Sequence, residues 1–348
     1  MAKTDLRWLV TPPAAFDRPA VEAMLTADRA ALFAAADEQR RRHMGDQVFL
    51  RGIVEFSNIC ANDCHYCGIR RSNPQPNRYR MSAEEILAEA RRMDGGSQTT
   101  IVLQSGEVRS ADEDARIEAI IAAIKEQTSL AVTVSAGNRP RAVYARWRAA
   151  GMDRYLLRFE TSDARLFAAI HPDCTLTERL RCLWDLRDLG VQVGSGFMIG
   201  LPGETTATLA DNILLCRDLD LDMIGIGPFI AHPGTPLAGA ANAYADDPDM
   251  FFAAVAALRL VNPDAHIPAT TAFDAVFPHR GRDLCLERGA NVFMPNDTPG
   301  RYRRDYQLYP DKPCVDEDSS HCGACVTARI WALGRPVGEG PGHSRKGR

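Results

Sequence analysis

Cys60, Cys64 and Cys67 stand in the stretch Phe56-Ser57-Asn58-Ile59-Cys60-Ala61-Asn62-Asp63-Cys64-His65-Tyr66-Cys67-Gly68-Ile69-Arg70, a C-x3-C-x2-C triplet. Iron–sulfur clusters normally take four Cys thiolates. Three thiolates this close together can each bind one iron of a cubane, and the fourth iron is left without a protein ligand. In a metal centre, an open coordination position is where substrate binds. The alternatives are a zinc knuckle or buried thiols. Zinc sites usually want four ligands in a paired spacing, and no fourth ligand follows at a suitable distance. A second triplet, Cys314-x7-Cys322-x2-Cys325, lies near the C-terminus and suggests an auxiliary Fe–S or zinc site. Cys174, Cys182, Cys216 and Cys285 stand singly and read as small apolar core residues.

With the aromatic Tyr66 directly before the third Cys, the first triplet resembles the signature of radical S-adenosylmethionine (SAM) enzymes. That resemblance implies a [4Fe-4S] cluster whose open iron is chelated by the amino and carboxylate groups of SAM. An electron from the cluster then splits the sulfonium to a 5′-deoxyadenosyl radical. Such a ligand presents an ammonium, a carboxylate, two ribose hydroxyls and an adenine. Gly106-Glu107 fits the ammonium, Gly for close backbone approach and Glu as acceptor. Glu160 can accept from ribose or ammonium, and the planar fork of Arg179 can clamp the carboxylate. Arg179 also lies in the charged run of Glu178, Arg179 and Arg181, so a solvated helix position is the competing reading. Tyr66 is expected beside the cluster and adenine, and Ser135, which closes a strand, is counted with the cofactor-binding set.

Gly194-Ser195-Gly196-Phe197-Met198-Ile199-Gly200-Leu201-Pro202-Gly203-Glu204-Thr205 lacks the Lys-Ser/Thr of a phosphate loop. It reads as a cofactor-lining strand whose Gly residues admit the adenosyl group, or as a turn into a helix starting near Thr205. Gln104, Arg158, Thr270, Thr271, Met294 and Tyr306 are polar or soft groups near strand ends, suited to an anionic or thiolate-bearing substrate. Arg158 and Glu160 face the same side of one strand, so a plain ion pair is the alternative for them.

These residues need a scaffold, and the chain's rhythm supplies one. Apolar runs of strand length at Val48–Phe56, Thr99–Gln104, Leu130–Ser135, Arg154–Phe159, Val191–Ile199, Met223–Gly227, His266–Thr270 and Ala290–Met294 alternate with helical stretches at Ala83–Met93, Asp114–Gln127, Thr177–Leu189, Thr205–Leu219 and Met250–Val261. Eight strands with interleaved helices favour an α/β fold, a complete (β/α)8 TIM barrel, over an open sheet. In such barrels the chemistry sits where strands end, and the candidate residues cluster there. The expected organisation is an N-terminal helical extension over 1–45, packed against the barrel's lower end, the barrel over 46–296, and a C-terminal Cys-containing segment over 297–348. Gly338–Arg348 carries five Gly or Pro and four cationic or His residues and is expected to be disordered.

The whole chain excludes other classes. Its 348 residues are 45% hydrophobic, with 41 Lys and Arg against 45 Asp and Glu, a net charge of −4. That balance gives no argument for nucleic acid or anionic membrane. Ten Cys are too sparse for a secreted disulfide scaffold. Met1–Trp8 lacks the apolar core of a signal peptide, and no apolar run approaches the length needed to span a bilayer. A cytoplasmic protein is expected.

Several stretches together resemble one family along most of the chain, from about Phe49 to Gly334. They are Cys60–Arg70, Val102–Glu107, Arg154–Thr161, Gly225–Ile230, Ile267–Ala272 and Tyr306–Pro310, and they look like the HydE family of radical SAM maturases in [FeFe]-hydrogenase assembly. The tail Cys are similar to a second-cluster site in many of these maturases, either [2Fe-2S] or [4Fe-4S]. The resemblance implies SAM at the top of a closed internal cavity, held by Glu160 and Arg179. Deeper in, Gln104, Arg158, Thr271, Met294 and Tyr306 would line the site of a small organometallic substrate, a cysteine-bound iron carbonyl cyanide synthon. It implies as partners a sister radical SAM enzyme, a scaffold GTPase and an external reductant. Two alternatives are methylornithine synthase, a similar isomerase family in pyrrolysine biosynthesis without the tail Cys, and a non-catalytic Fe–S carrier or scaffold, which needs neither the Gly106-Glu107 element nor a cavity.

Overall fold

The computed structural model describes residues 16–313, 315 and 319–346, with the backbone alone for 319–324. Strand β1 (Phe49–Ser57) is buried along nearly its whole length. That is the pattern of a parallel strand covered on both faces. β2 (Thr100–Ser105), β3 (Ala131–Ser135), β4 (Arg154–Leu156), β5 (Gln192–Ser195), β6 (Met223–Ile224), β7 (Pro268–Ala269) and β8 (Val292–Phe293) follow. Among the described residues they form one parallel sheet in the order β6-β5-β4-β3-β2-β1-β8-β7. A parallel bridge pairs Met223 with His266, just ahead of β7. There the Ile224 N–H donates to His266 O at 2.8 Å and the His266 N–H donates to Asp222 O at 2.9 Å. This joins the two edge strands and closes the (β/α)8 barrel. Helices Ala83–Asp94, Ala111–Gln127, Leu176–Asp188, Thr206–Asp218 and Asp249–Val261 occupy the expected places.

The N-terminal helices Arg18–Leu25 and Arg29–Met44 begin at Asp17 and Asp28, whose carboxylates accept from Ala20 N and Ala31 N at 3.0 Å each. Side-chain acceptors of this kind satisfy first-turn donors. The pair packs on the barrel's flank, against Thr206–Asp218 and Asp249–Val261, and not under its lower end as expected. The reason is visible in Asp249–Val261, where Met250 through Val261 are all buried. A helix apolar all round needs cover on its outer side too.

The lower end is closed instead by the C-terminal segment. The expectation of disorder from Gly338 onward is therefore corrected for Gly338–Lys346. Arg51 and Arg154, both almost fully buried at strand starts, need acceptors, and composition alone does not reveal that need. Arg51 Nη2 donates to Gly342 O at 3.0 Å and Arg154 Nη2 to Pro341 O at 2.7 Å. Thr99 Oγ1 donates to Gly340 O at 2.6 Å, and Lys346 Nζ donates to Leu221 O at 2.7 Å. The Gly338 N–H donates to Val48 O at 2.9 Å.

Removing the chain from Gly338 onward should therefore lower folding stability by about 2–5 kcal/mol, since each buried group left without a partner costs roughly 1–3 kcal/mol. Urea unfolding monitored by circular dichroism measures this, and an unchanged midpoint would refute the bracing role.

Candidate functional site

The Cys triplet lies in the loop leaving β1, at the barrel's upper rim. Side chains brace this loop in place of regular structure. Arg78 donates from Nη1 to Asn58 O and Ile69 O at 2.7 and 2.8 Å, and from Nη2 to Arg70 O and Asn73 O at 2.6 and 2.9 Å. Asp63 accepts from Ser72 N at 3.1 Å and Ser72 Oγ at 2.7 Å and pairs with Arg70 at 2.7 Å. Sequence reading singled out neither Arg78 nor Asp63. The one available signal was that Asp63 falls between two of the Cys.

All three thiols line a cavity of about 330 Å³ that reaches into the barrel, within the usual range for small-molecule sites. Burial pushes the Cys67 thiol up to about 12, with Cys60 adding to the rise. Burial raises Cys64 further, helped by Cys67 and Cys60, and raises Cys60 as well. The bare protein thus holds three neutral thiols, and metal must displace their protons. Among the described residues, no three His, Cys, Asp or Glu side chains converge on a point able to hold a single ion. A cubane, which gives each thiolate its own iron, does not require the three thiols to meet at one point.

Tyr66, Gly106, Glu107, Ser135, Glu160, Arg179, Gln104, Arg158, Thr270, Thr271, Met294 and Tyr306 all line this same cavity. Gly106 leaves β2 against the Cys loop, where a Cβ would stand 2.4 Å from Ile59 O and 2.8 Å from Cys60 Cβ. Glu107 is buried, and its Oε2 accepts from Asn138 N at 2.9 Å while Oε1 accepts from Arg109. Glu160 adopts φ +64, a strained conformation for Glu that costs roughly 1–3 kcal/mol. Its N–H donates to Gly196 O and its carbonyl accepts from Met198 N, at 3.0 Å each, in a parallel bridge opposite Phe197 that fixes the backbone there. Regular pairing of β4 accordingly stops at Leu156, short of the expected Phe159. Arg179 sits in the first turn of Leu176–Asp188, whose start is set by a capping box between Thr175 and Glu178. It is buried and not a solvated helix position, and its Nη1 donates to Arg158 O at 2.6 Å. Burial opposes its charge, yet Cys174, Tyr66, Glu107 and Glu160 together hold its pKa above the ordinary guanidinium value.

Arg158 Nη2 lies 2.8 Å from Glu160 Oε2, so the ion pair exists, but without the alignment of a hydrogen bond. Those two atoms, with Arg158 Nε and Arg179 Nε, are buried without hydrogen-bond partners. Buried polar atoms without hydrogen-bond partners, converging on a cavity beside three thiols, fit a polar ligand at the cluster. Deeper in, Gln104 Nε2 donates to Tyr306 Oη at 3.3 Å, and Thr271 and Tyr309 hydroxyls share a hydrogen bond. Thr270 Oγ1 donates to Ile226 O at 2.8 Å, which occupies its donor within the protein. Lys312 and Glu55 form a buried pair on the same wall that sequence reading missed.

Two further expectations are revised. Of the Gly194–Thr205 run only Met198 lines the cavity. A Cβ at Gly196 would lie 1.9 Å from Gly225 O, so the missing side chain admits a neighbouring strand and not a ligand. The run then turns into Thr206–Asp218, capped by Thr205. Cys182, Cys216 and Cys285 are buried as expected, but Cys174 is half-exposed, with its Sγ 3.6 Å from Arg179 Nη2. In the tail triplet, Cys325 is exposed on helix Ser319–Ala332, while Cys314 and the Cys322 side chain lie outside the described residues.

The comparisons agree with this geometry. Residues 54–216 match the Radical SAM superfamily model. The chain is 48% identical over 308 residues to the [FeFe] hydrogenase maturase subunit HydE of Thermotoga maritima, covering 88% of this chain and 87% of that protein. This chain belongs to the HydE family of radical SAM enzymes. The 3-methylornithine synthase of Methanosarcina barkeri is 27% identical, with 79% of each chain covered. Among solved structures, methylornithine synthase superposes with TM-score 0.81 at 23% identity over 94% of this chain and 96% of its own. The maturase HydG of Carboxydothermus hydrogenoformans gives 0.78 at 22% over 92% and 75%. These two likenesses show the fold. The family uses a [4Fe-4S] cluster and SAM, and the HydE family is the narrower match.

Gly106→Ala should cut iron taken up by the triplet at least fivefold, because the added methyl collides with the Ile59 carbonyl and the Cys60 Cβ. Iron quantitation after anaerobic reconstitution tests this, and full loading would mean that the loop tolerates the shift.

Proposed function

We propose that this chain cleaves SAM reductively at the Cys60–Cys64–Cys67 site and acts on a cysteine-bound iron carbonyl cyanide synthon in building the [FeFe]-hydrogenase H-cluster. The observation that carries the reading is the convergence of three thiols, Glu160 and Arg179 on one cavity in a HydE-family barrel. When bound, the cluster supplies the electron that breaks the sulfonium.

The chain's own residues divide the remaining work. The three thiolates hold the irons. Arg179, fully charged and aimed into the cavity, receives the methionine carboxylate, and Glu160 receives ribose or ammonium. Glu107 presents an acceptor at the same rim, with Gly106 allowing the close approach, and Tyr66 and Ser135 complete that wall. Gln104, Arg158, Thr271, Met294 and Tyr306 form the deeper substrate wall, with Thr270 supporting its backbone. Burial excludes water from both levels, which protects a radical and strengthens each polar contact.

Cys314, Cys322 and Cys325 are assigned an auxiliary Fe–S cluster, and exposure of Cys325 supports a peripheral role. Other hydrogenase maturases are the working partners, namely a sister radical SAM enzyme and a scaffold GTPase, with an external reductant. No described helix is long and apolar enough to cross a membrane, which agrees with action in the cytoplasm. The lower identity to 3-methylornithine synthase, 27% against 48%, ranks the lysine-rearranging reading second. A carrier role leaves the cavity unexplained.

Cys64→Ala should lower 5′-deoxyadenosine formation by reconstituted enzyme at least a hundredfold, and normal formation would sink the cluster assignment. Cys322→Ala should reduce iron content yet leave cleavage within about threefold of wild type; complete inactivity would show the tail site to be essential. Turnover of lysine by the purified enzyme, without any hydrogenase defect on gene deletion, would overturn the maturase reading.

A further inference from the structure

The segment that closes the barrel's base is held through two histidines whose proton positions are fixed by their neighbours. Arg154 and Gln192 stand side by side at the starts of β4 and β5. Gln192 Oε1 accepts from Arg154 Nε at 3.2 Å and from Ser344 N at 2.9 Å. Both of those groups only donate, so the amide cannot be turned round, and its Nε2 must face His343. There Gln192 Nε2 lies 2.9 Å from His343 Nδ1, and Arg154 Nη2 lies 2.9 Å from the same nitrogen. Neither an amide NH2 nor a guanidinium can accept. His343 Nδ1 therefore holds a lone pair, and the ring is neutral with its hydrogen on Nε2.

His266, just ahead of β7, repeats the pattern deeper in. Asn291 Oδ1 accepts from Arg259 Nη2 at 3.0 Å and from Ile267 N at 2.9 Å. That turns Asn291 Nδ2 toward His266 Nδ1, at 3.1 Å. His266 Nε2 then carries the hydrogen and donates to His343 O at 3.3 Å. His266 is buried, whereas His343 is exposed. The outer ring can meet a proton while the segment is docked, and the inner ring only after it lifts.

We propose that residues 338–346 are an acid-released strap, latched to Arg154 and Gln192 only while His343 is neutral, so that protonation of His343 frees the strap and uncovers the barrel's base. A hydrogen on Nδ1 would confront two donors, one of them a cation. Positive charge surrounds the latch already: Arg51 and Arg154 from β1 and β4, Lys125 from Ala111–Gln127, and Arg259 from Asp249–Val261 behind His266. Arg345 and Lys346 lie on the strap itself, Lys346 paired with Asp220 at 2.7 Å. Asp153 and Asp222 oppose them. Partial burial, then Arg154, holds His343 below the ordinary imidazole value against the pull of Asp153. Burial, then Arg51, lowers His266 much further. A ring whose value is lower docked than free takes up protons on release. Docking is therefore complete above the ordinary imidazole value and is lost as pH falls through the depressed one. Release then exposes His266, whose protonation opposes re-docking and sharpens the transition. The latch lies at the opposite end of the barrel from the Cys loop and is independent of the chemistry proposed there.

The test is hydrogen exchange on the full-length protein, read by mass spectrometry on the peptide containing 338–346 and corrected for intrinsic rates. Wild-type protection should fall about tenfold between about pH 7.5 and about pH 5.5, the scale of one lost hydrogen bond to a charged donor. Peptides from β2 and β3 should stay protected. His343→Asn offers an acceptor in place of Nδ1 without a titrating ring, and its strap should keep its protection within about threefold over the same range. His343→Leu removes the acceptor and should leave the strap about tenfold less protected than wild type already at the upper pH. Should His343→Leu fail to fold, the comparison of wild type with His343→Asn decides alone. Equal wild-type protection at both pH values, or the same loss in His343→Asn as in wild type, would overturn the inference. So would loss of β2 and β3 protection together with the strap, which is global unfolding and not release.

Discussion

Three thiols crowded into a water-poor loop set the terms for the rest of the molecule. Burial drives Cys60, Cys64 and Cys67 toward their neutral forms, so the bare loop gains nothing from mutual charge and must be held by other means. Arg78 gathers four backbone carbonyls, and Asp63 ties the loop to Ser72 and Arg70. Iron then enters a frame already shaped to receive it. Much of the upper rim follows from that frame, including the tight passage of Gly106 behind Cys60 and the packing of Tyr66 against His171.

The second constraint is charge in the cavity. Arg158 and Arg179 face Glu160 and Glu107 in a space largely screened from solvent, and several of their polar atoms lack hydrogen-bond partners. A protein interior normally avoids this, because an unpaired buried group is expensive. Strain adds to it at Glu160, held at a positive φ. Buried polar atoms without hydrogen-bond partners and backbone strain at the same spot mark a surface shaped for a guest and not for the fold's own stability.

The sequence made the barrel and the cluster triplet legible because both depend on local spacing. Strand runs ending in loops, with Cys60, Glu107 and Glu160 at those ends, place the chemistry without knowledge of contacts. Features set by distant pairing stayed hidden. Nothing local in the sequence singles out His171, whose closeness to Cys64 spans a separation of 107 positions. Glu55 and Lys312 stand 257 apart and form a pair that no local pattern predicts. The Gly-rich run near Gly196 was legible as close approach but not as approach to what. The chain's end misled because its composition resembles a loose tail, while the demand for it arises from Arg51 and Arg154 elsewhere.

That segment has a consequence for folding. Val48, next to the first barrel strand, is bonded to Pro336 and Gly338, so the barrel's floor is sealed by residues very far along the sequence from the strand they brace. Contacts of such long separation carry a large loop-closure cost and form slowly. A barrel whose walls have already paired therefore still waits for its floor.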